Sequence, residues 1–300
     1  MHEPRLRPFH PEAVDDLLRF IHAHPVGDLG SDLLRELLTG LPRSPDHVLD
    51  VHRGDQRLLV ATLIDTLINA SNAAVLEILG LRVPRAPETD DTLPWLLAHA
   101  EQQARQGPRP ILEIALPPAL HRHAPVLASR GYHVAFTQYH MHRATADHGP
   151  AAPLADDLHF RDATLADVPA YHALLARAFT GVPGTHIADL ATFTAMFART
   201  PRRPRLLLHR DHLVGFVKTS LDADGETGVV HTLGRDPGHR GHRLGDVLLH
   251  EAMRALASAG ARRLRLEVTA HNRSALDLYL RHDFTVAAEL PTYQRALFTA

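Results

Sequence analysis

One loop in the C-terminal half combines positive charge with glycine in a pattern that suits an anion. Between Gly238 and Gly245 the chain carries Arg240, His242 and Arg243. Glycine lets a bulky anion come close to the backbone, and an arginine side chain can donate two parallel hydrogen bonds to phosphate oxygens. The spacing therefore predicts a loop that binds a diphosphate group, with an ordinary surface loop as the alternative.

The segments around this loop predict a strand before it and a helix after it. Residues 227–233 are mostly β-branched or apolar, and apolar residues recur at helical spacing from Leu244 to Met253. A helix N-terminus presents backbone N–H groups without internal partners and the positive end of the helix dipole. Two other nucleotide loops are excluded, because Lys218 is the only lysine and the spacing of a dinucleotide fingerprint is missing.

A second motif follows one helix and one strand later. Asn272, Ala275 and Tyr279 have the spacing Asn-x-x-Ala-x-x-x-Tyr, and Asp283 and Phe284 end the segment. The two motifs in this order resemble the signatures of the GCN5-related N-acetyltransferase (GNAT) superfamily. In that superfamily the loop reads Arg/Gln-x-x-Gly-x-Gly/Ala, and Gly-Phe follows the second motif.

The resemblance covers residues 158–300 and departs from the family pattern at two glycine positions. Arg240 and Gly245 occupy the first and last positions of the loop motif, but Arg243 replaces its middle glycine. Asp283 replaces the glycine before the phenylalanine. A non-glycine residue keeps its amide donor but has a restricted φ.

The resemblance implies an acyl-CoA co-substrate, with acetyl-CoA as the expected donor. In the superfamily two strands splay apart after a bulge, and the free backbone of the first strand bonds the pantetheine arm. Gly234 within a strand pattern is a bulge signal, although it could also ease the turn before Pro237. The implied cofactor-binding residues are Leu233, Gly234, Arg235, Arg240, Gly241, His242, Arg243, Leu244, Gly245 and Asn272.

Acyl transfer to an amine needs a base for the amine and an acid for the departing thiolate. The resemblance implies that Tyr279 is this acid, whereas a phenol packed in the core is the alternative. His231 is the candidate base, because it precedes Arg235 by four residues on the same strand and an unperturbed histidine titrates near neutrality. Glu226, a water molecule and a merely structural histidine remain open.

The N-terminal half repeats the C-terminal half. Arg161 aligns with Arg7, an offset of 154 since 161 minus 7 is 154, and the same offset relates Val168 to Val14, Leu233-Gly234 to Leu79-Gly80 and Glu267 to Glu113. The sequence therefore predicts an α/β (α+β) chain with two tandem GNAT-like domains, each a mixed, mostly antiparallel central sheet flanked by helices. The predicted ranges are residues 1–143, a linker at 144–157, and residues 158–300.

The first copy is predicted to have lost cofactor binding. Opposite the glycine-rich loop it has Pro84 to Asp91, which contains no glycine and three acidic residues, and it lacks the Asn-x-x-Ala-x-x-x-Tyr motif. The arrangement resembles that of the mycothiol synthase type, in which the C-terminal copy is the active one. Arrangement does not define the acceptor.

Composition excludes several other classes of protein. A formal net charge of -2 provides no excess of positive charge for a nucleic-acid surface, and the absence of cysteine excludes disulfides and thiolate metal sites. The 24 histidines follow no recognisable metal-ligand spacing, so no metal is expected. Neither a signal peptide nor a membrane span is recognisable, which makes the cytoplasm the expected location.

The sequence thus predicts an acyl-CoA-dependent N-acyltransferase that acts on the amine of a small molecule through its C-terminal copy, as a monomer or homodimer. Two alternatives stay open. One is a protein that binds or senses acyl-CoA without turnover, and the other is a tRNA-dependent aminoacyltransferase of tandem GNAT fold.

Overall fold

The protein, in a computed structural model, forms two compact units. The structure describes residues 3–26, 34–35, 38, 47–64, 68–69, 73–82, 91–145, 154–155, 157–199, 203–222, 224–239 and 243–298. Unit 1 comprises Met1–Thr137 with Leu290–Ala300, and unit 2 comprises Gln138–Glu289. Unit 2 is one contiguous stretch of chain, whereas unit 1 combines two stretches, the second of them from the C-terminal end of the sequence.

Unit 1 runs from β1 to the start of β7. Its elements are β1 (Arg5–Arg7), a 3₁₀ turn (Pro11–Ala13), α1 (Val14–Ala23), β2 (Val48–Arg53), β3 (Gln56–Ile64), β4 (Ile68–Asn69), β5 (Ala73–Leu81), α2 (Thr92–Ala104), β6 (Ile111–Ala115), a 3₁₀ helix (Pro118–His123), α3 (Ala124–Ser129) and the start of β7 (His133–Ala144). Its sheet is antiparallel except for the parallel pair of β5 and β6.

Unit 2 follows the same order. Its elements are β8 (Leu158–Asp162), a 3₁₀ turn (Leu165–Asp167), α4 (Val168–Ala178), β9 (His186–Ile187), α5 (Leu190–Arg199), β10 (Arg205–His209), β11 (His212–Leu221), β12 (Thr227–Arg235), α6 (Leu244–Ser258), β13 (Arg263–Thr269), α7 (Arg273–Arg281) and the start of β14 (Thr285–Ala296). Here too the sheet is antiparallel except for one parallel pair, β12 and β13.

Two long strands account for the boundaries of the units. The second half of β7 pairs with β13 from Gln138 to Ala144, and the second half of β14 pairs with β6 from Thr292 to Ala296. Each strand is twelve residues long and continues past the boundary between the units. Hydrogen-bond pairing therefore assigns the end of each copy's last strand to the other unit's sheet, which sequence pattern alone does not reveal.

The helices of unit 2 cover its sheet with two apolar clusters. Leu248, Leu256 and Tyr279 belong to the cluster that joins α6 and α7 to β11, β12 and β13. Tyr171 and Phe216 belong to the cluster that joins α4 and α5 to β10 and β11. Strand side chains alternate between these faces. Among the described residues, no helix is long and apolar enough to cross a membrane.

The two copies agree in register, with one correction to the sequence alignment. β5 and β12 span Ala73–Leu81 and Thr227–Arg235, which preserves the offset of 154 because 227 minus 73 is 154. The parallel partners begin at Ile111 and Arg263, an offset of 152 since 263 minus 111 is 152. The counterpart of Glu267 is consequently Ala115, and the alignment of Glu267 with Glu113 was wrong by two residues.

In both copies the parallel ladder is four pairs long. β12 pairs with β13 from Thr227–Arg263 to Val230–Leu266, and β12 continues to Arg235 beyond the last pair. β5 likewise continues beyond its last pair with β6. The two strands therefore separate over their final residues, as the resemblance to the GNAT superfamily implied.

The bulge of β12 lies at His231 and not at Gly234. Lys218 pairs with Thr232 and the next residue, Thr219, pairs with Val230, so His231 is the extra residue. Gly234 has another reason to be glycine, because a Cβ built there would lie 2.3 Å from Phe216 Cζ. The prediction of a bulge near the strand end was right, but its position was wrong.

We expect Gly234→Ala to lower the free energy of unfolding by about 1–3 kcal/mol, since the Phe216 ring must move to admit a methyl group. Urea denaturation of this variant, of Phe216→Leu and of the double variant measures the coupling between the two positions. Gly234→Ala should cost less in the Phe216→Leu background. An equal cost in both backgrounds would contradict the proposed clash.

Candidate active site

The splayed end of β12 brings its last residues next to the start of α6. Leu233 packs against the cluster of α6 and α7, and Arg235 pairs with Gly215 of β11. A Cβ at Gly215 would lie 2.9 Å from Leu248 Cδ1, so α6 lies close against this part of the sheet. These contacts place the end of β12 beneath the helix that follows the glycine-rich loop.

The first part of that loop is fixed by Asp236. Its carboxylate accepts a hydrogen bond from Gly238 N–H at 2.9 Å and pairs with Arg177 of α4 at 3.2 Å. The Gly238 hydrogen bond, together with the charge of Arg177, lowers the pKa of Asp236 below its ordinary value. The predicted ligands Arg240, Gly241 and His242 lie outside the described residues.

The loop enters α6 through a left-handed residue. Arg243 has φ 48° and ψ 33° and precedes the first residue of the helix, Leu244. For a residue with a Cβ this conformation costs roughly 1–2 kcal/mol. The position therefore has the backbone geometry that the family's glycine would adopt without cost. Strain of this kind concentrates at functional sites, where the surrounding structure maintains it.

Gly245, the last glycine of the loop motif, faces the neighbouring helix. A Cβ there would lie 3.2 Å from Leu278 Cδ2 of α7. The position is thus constrained by helix packing as well as by any approach of a ligand to the loop.

The one acidic side chain in the first turn of α6 is paired. Asp246 lies 2.8 Å from His282 Nε2 and 3.6 Å from an Arg281 nitrogen. Burial raises the pKa of Asp246, but these two partners outweigh burial and the net pKa lies below its ordinary value. Because its negative charge is balanced by its partners, Asp246 opposes an anion at the helix N-terminus less than an unpaired carboxylate would.

The second motif builds the two ends of α7. Asn272 is its N-cap, with Oδ1 accepting from Ala275 N–H at 3.3 Å. Phe284 N–H donates to the Tyr279 carbonyl at 3.1 Å across Asp283, whose φ is 60°. The spacing Asn-x-x-Ala is therefore a helix cap. The cap uses the Asn272 side-chain oxygen, so its role in cofactor binding stays a prediction.

Tyr279 lies in the core that supports the strand end. Its side chain is 6% exposed, and its ring is 5.9 Å from the ring of Phe284. Burial raises the pKa of the Tyr279 phenol to about 12. A phenol with a raised pKa stays protonated at neutral pH, which is the state that a proton donor needs.

His231 and Glu226, the two candidate bases, lie at different places: His231 within β12 and Glu226 just before it. His231 is at the bulge beside the splay, with Nε2 2.7 Å from Ser220 Oγ. Glu226 precedes the strand and pairs with Arg262 at 3.6 Å. Seven residues at ~3.3 Å each separate Glu226 from Leu233, whereas His231 is two residues from Leu233.

Sequence reasoning missed three polar residues near His231. Ser220 contacts His231, while Glu267 on β13 forms a 3.1 Å ion pair with His140 on β7. The available signal was Glu267 itself, a charged residue between the buried Leu266 and Val268. Within the described ranges, no group of three His, Cys, Asp or Glu side chains is arranged to hold a metal ion.

The splayed parallel pair, the loop and the capped α7 together define a GNAT-type acyltransferase fold. Residues 169–284 match the Acetyltransferase (GNAT) family.

Two curated relatives are named mycothiol acetyltransferase. The protein from Catenulispora acidiphila is 30% identical over 213 residues, which cover 66% of each chain. The protein from Corynebacterium efficiens is 36% identical over 85 residues, which cover 28% of each chain. The chain therefore aligns with less than two thirds of the length of either relative.

Solved structures show the same tandem fold. A GCN5-related N-acetyltransferase from Sphaerobacter thermophilus has a TM-score of 0.72 at 18% identity, covering 99% of this chain and 96% of its own. A tandem GNAT protein from the clavulanic acid biosynthesis pathway has a TM-score of 0.70 at 16% identity, covering 99% and 100%. The predictions of fold class and of two tandem GNAT-like domains are confirmed.

We expect Arg243→Gly to be more stable than Arg243→Ala by about 0.5–1 kcal/mol. Both variants remove the charge, but only glycine relieves the left-handed strain of roughly 1–2 kcal/mol, and its greater chain entropy offsets part of that gain. Equilibrium unfolding in urea measures the difference. Equal stabilities, or a more stable alanine variant, would show that the left-handed geometry at Arg243 carries no strain.

Proposed function

We propose that this protein is an acyl-CoA-dependent N-acyltransferase, with acetyl-CoA as donor, that acylates the amine of a small molecule by direct attack in unit 2. The observation that carries the proposal is the parallel ladder that stops at Val230 and Leu266 and leaves the end of β12 beside the start of α6. An extended ligand with a charged end fits this arrangement, because in the described part of the chain the ladder with β13 ends at Val230, and a helix N-terminus offers backbone N–H groups.

The residues present fit acyl-CoA in unit 2. The left-handed Arg243 orients the backbone at the helix N-terminus, and Asp246 is balanced by His282. When bound, acetyl-CoA supplies a thioester whose carbonyl carbon the amine attacks as the carbon–sulfur bond breaks. Leu233 and Arg235 contribute backbone groups beside the pantetheine arm.

Two side chains of unit 2 carry the proton transfers in this proposal. His231 removes a proton from the acceptor ammonium, leaving the neutral amine that attacks. Tyr279 donates its phenolic proton to the departing sulfur, and its pKa of about 12 keeps it protonated until that step. The attacking nitrogen loses its second proton as the amide forms, and that proton restores the Tyr279 phenol. His231 releases its proton to solvent, so one turnover converts an ammonium and a thioester into an amide, a thiol and one proton.

Unit 1 differs from unit 2 at the corresponding strand end. The Leu81 N–H, which matches that of Arg235, donates to the His24 carbonyl at 3.0 Å, and Pro25 bridges Gly80. The chain itself therefore occupies the edge that a pantetheine arm would need. Its acidic segment at Pro84 to Asp91 extends outside the described residues. This closed edge supports catalysis in unit 2 alone.

Unit 1 also lacks the phenol. Its helix α3 closes with the same cap as α7, because Tyr132 N–H donates to the Leu127 carbonyl at 3.0 Å as Phe284 N–H does to Tyr279. Leu127 thus stands where unit 2 has Tyr279. A leucine cannot donate a proton, so this difference supports the assignment of the acid to Tyr279.

The names of the curated relatives support acetyl transfer, while the acceptor of this chain is not carried over from them. The two open alternatives make different predictions in one assay. A protein that only binds acyl-CoA releases no thiol with any amine, and a tRNA-dependent enzyme requires a charged tRNA. The cytoplasmic location and the monomer or homodimer stay predictions from the sequence.

We expect acetyl-CoA at about 100 times its Kd to stabilise the protein by about 2.7 kcal/mol, and Arg243→Glu to remove most of this effect. The reversed charge repels phosphate at the helix N-terminus. Thermal midpoints with and without acetyl-CoA measure it. Arg273→Glu, an equally exposed charge reversal at the start of α7, is the matched control. A full response in Arg243→Glu would exclude the proposed phosphate site.

We expect Tyr279→Phe to lower kcat by about 10²–10⁴-fold while the KM for acetyl-CoA stays within about twofold, because only proton donation is lost. In the unmodified protein kcat should not fall between about pH 8 and about pH 10, since the raised pKa keeps the phenol protonated below about pH 12. Steady-state thiol release over this pH range measures both effects. Parallel losses in kcat and in acetyl-CoA affinity would indicate a packing role instead.

A further inference from the structure

Four polar side chains form a row across neighbouring strands at the point where β12 and β13 separate. His140 on β7 pairs with Glu267 on β13 at 3.1 Å, and His231 on β12 contacts Ser220 on β11 at 2.7 Å. His231 and Glu267 each follow the last parallel pair, Val230–Leu266, so they are neighbours across the splay. We call these four residues the polar row.

The polar row lies on the face of the sheet away from α6 and α7. Leu266 and Val268 belong to the apolar cluster of those helices, so Glu267 between them points to the opposite face. On that face the loop after α4 is fastened to the end of β13, because Thr269 Oγ1 donates to the Pro183 carbonyl at 2.8 Å. A molecule that reaches the splay from this face meets the polar row before the thioester.

The fold does not require these side chains. In unit 1, Ala115 occupies the position of Glu267 and Thr292 occupies that of His140. Ala115 pairs with Thr292 as Glu267 pairs with His140. His231 is matched by Glu77 at the offset of 154, since 231 minus 77 is 154. The sheet of unit 1 therefore forms without the three side chains of His140, His231 and Glu267. Unit 1 also lacks the phenol of Tyr279.

Glu267 offers a negative charge to anything that enters this face. Its side chain keeps 51% of its surface exposed, although it is paired with His140. Desolvation raises the pKa of Glu267, but the His140 hydrogen bond and the nearby charges of Arg265 and His231 outweigh it, so the net pKa lies below its ordinary value. Arg265 is itself paired with Asp222 at 3.1 Å. An ionised carboxylate attracts a cation and repels an anion.

We infer that Glu267 binds the ammonium group of the acyl acceptor, held in place by His140, and that it selects amines with no carboxylate next to the nitrogen. The inference rests on the proposed function and names the class of acceptor: a primary amine on a neutral or cationic carbon skeleton. One proton passes from the bound ammonium to His231, and the neutral amine then lies between the polar row and the acyl carbon.

The test compares L-amino acid amides with the matching free amino acids as acceptors of acetyl-CoA. Each pair has the same side chain and differs in the carboxylate beside the amine. Thiol release gives kcat/KM for both members in the unmodified protein, in Glu267→Gln and in Glu267→Asp. The amide-to-acid ratio is kcat/KM for the amide divided by kcat/KM for the free amino acid. Comparing this ratio between variants cancels the difference in intrinsic reactivity of the two amines.

We expect Glu267→Gln to lower kcat/KM for the preferred amide at least tenfold, mainly through KM, and to shrink the amide-to-acid ratio at least tenfold. Glu267→Asp keeps the charge and should retain most of the ratio. Asp162→Asn is the matched control, because Asp162 is a carboxylate 69% exposed in the same unit but lies on β8, and it should change neither quantity. The thermal shift with acetyl-CoA should be the same in all variants.

Failure of the inference and failure of the proposed function give different results. If amides are acetylated but Glu267→Gln keeps their KM and the ratio, the inference is overturned and the function stands. If the unmodified protein releases no thiol with any amine, the proposed function fails. Calorimetric titration of the amide into protein saturated with CoA then decides the inference, because binding that Glu267→Gln weakens at least tenfold supports it, and absent or unchanged binding overturns it.

Discussion

The backbone of β12 beyond Val230 is the constraint on which the rest of unit 2 depends. A strand amide needs an acceptor, yet pairing with β13 stops at Leu266. In unit 1 the chain meets this requirement itself, because the His24 carbonyl accepts from Leu81. In unit 2 the strand end leads through a loop to the N-terminus of α6, a second set of backbone donors. An acyl-CoA molecule meets both requirements at once, which is the physical basis of the proposed function.

Two of the left-handed residues of unit 2, Arg243 and Asp283, stand at positions where the family pattern has glycine. Arg243 begins α6 and Asp283 follows α7, with φ of 48° and 60°. Gly131 has φ 82° in the unit 1 cap that matches the cap at Asp283. Each left-handed residue with a Cβ costs roughly 1–2 kcal/mol, so contacts made by the residues on either side must hold the turn in this conformation. The close packing of Leu278 against Gly245, where an added Cβ would lie 3.2 Å from Leu278 Cδ2, is one such restraint.

Sequence pattern predicted the elements that depend on local spacing and failed where pairing is distant. The strand, loop and helix around positions 227–258 and the motif at Tyr279 were recognisable from periodicity and residue type. The bulge at His231 was misplaced at Gly234, because a bulge depends on the register with β11 and a glycine can also serve a close ring contact. The fixed offset of 154 failed after β12, because the segment between β12 and β13 is two residues shorter than the segment between β5 and β6. Glu267 was missed because alternation predicts the face of a side chain but not its neighbours across strands.

Comparing the two units distinguishes the residues that the fold requires from those to which the proposed reaction gives a role. Both units form the same four-pair ladder and the same helix cap, although one has Leu127 where the other has Tyr279. A buried phenol costs more than leucine unless its hydroxyl has a partner, so packing alone gives no reason for tyrosine. The same reasoning applies to Glu267, whose counterpart Ala115 fits an equivalent register. The proposed function gives roles to Tyr279 and Glu267, the two side chains that unit 1 replaces with Leu127 and Ala115.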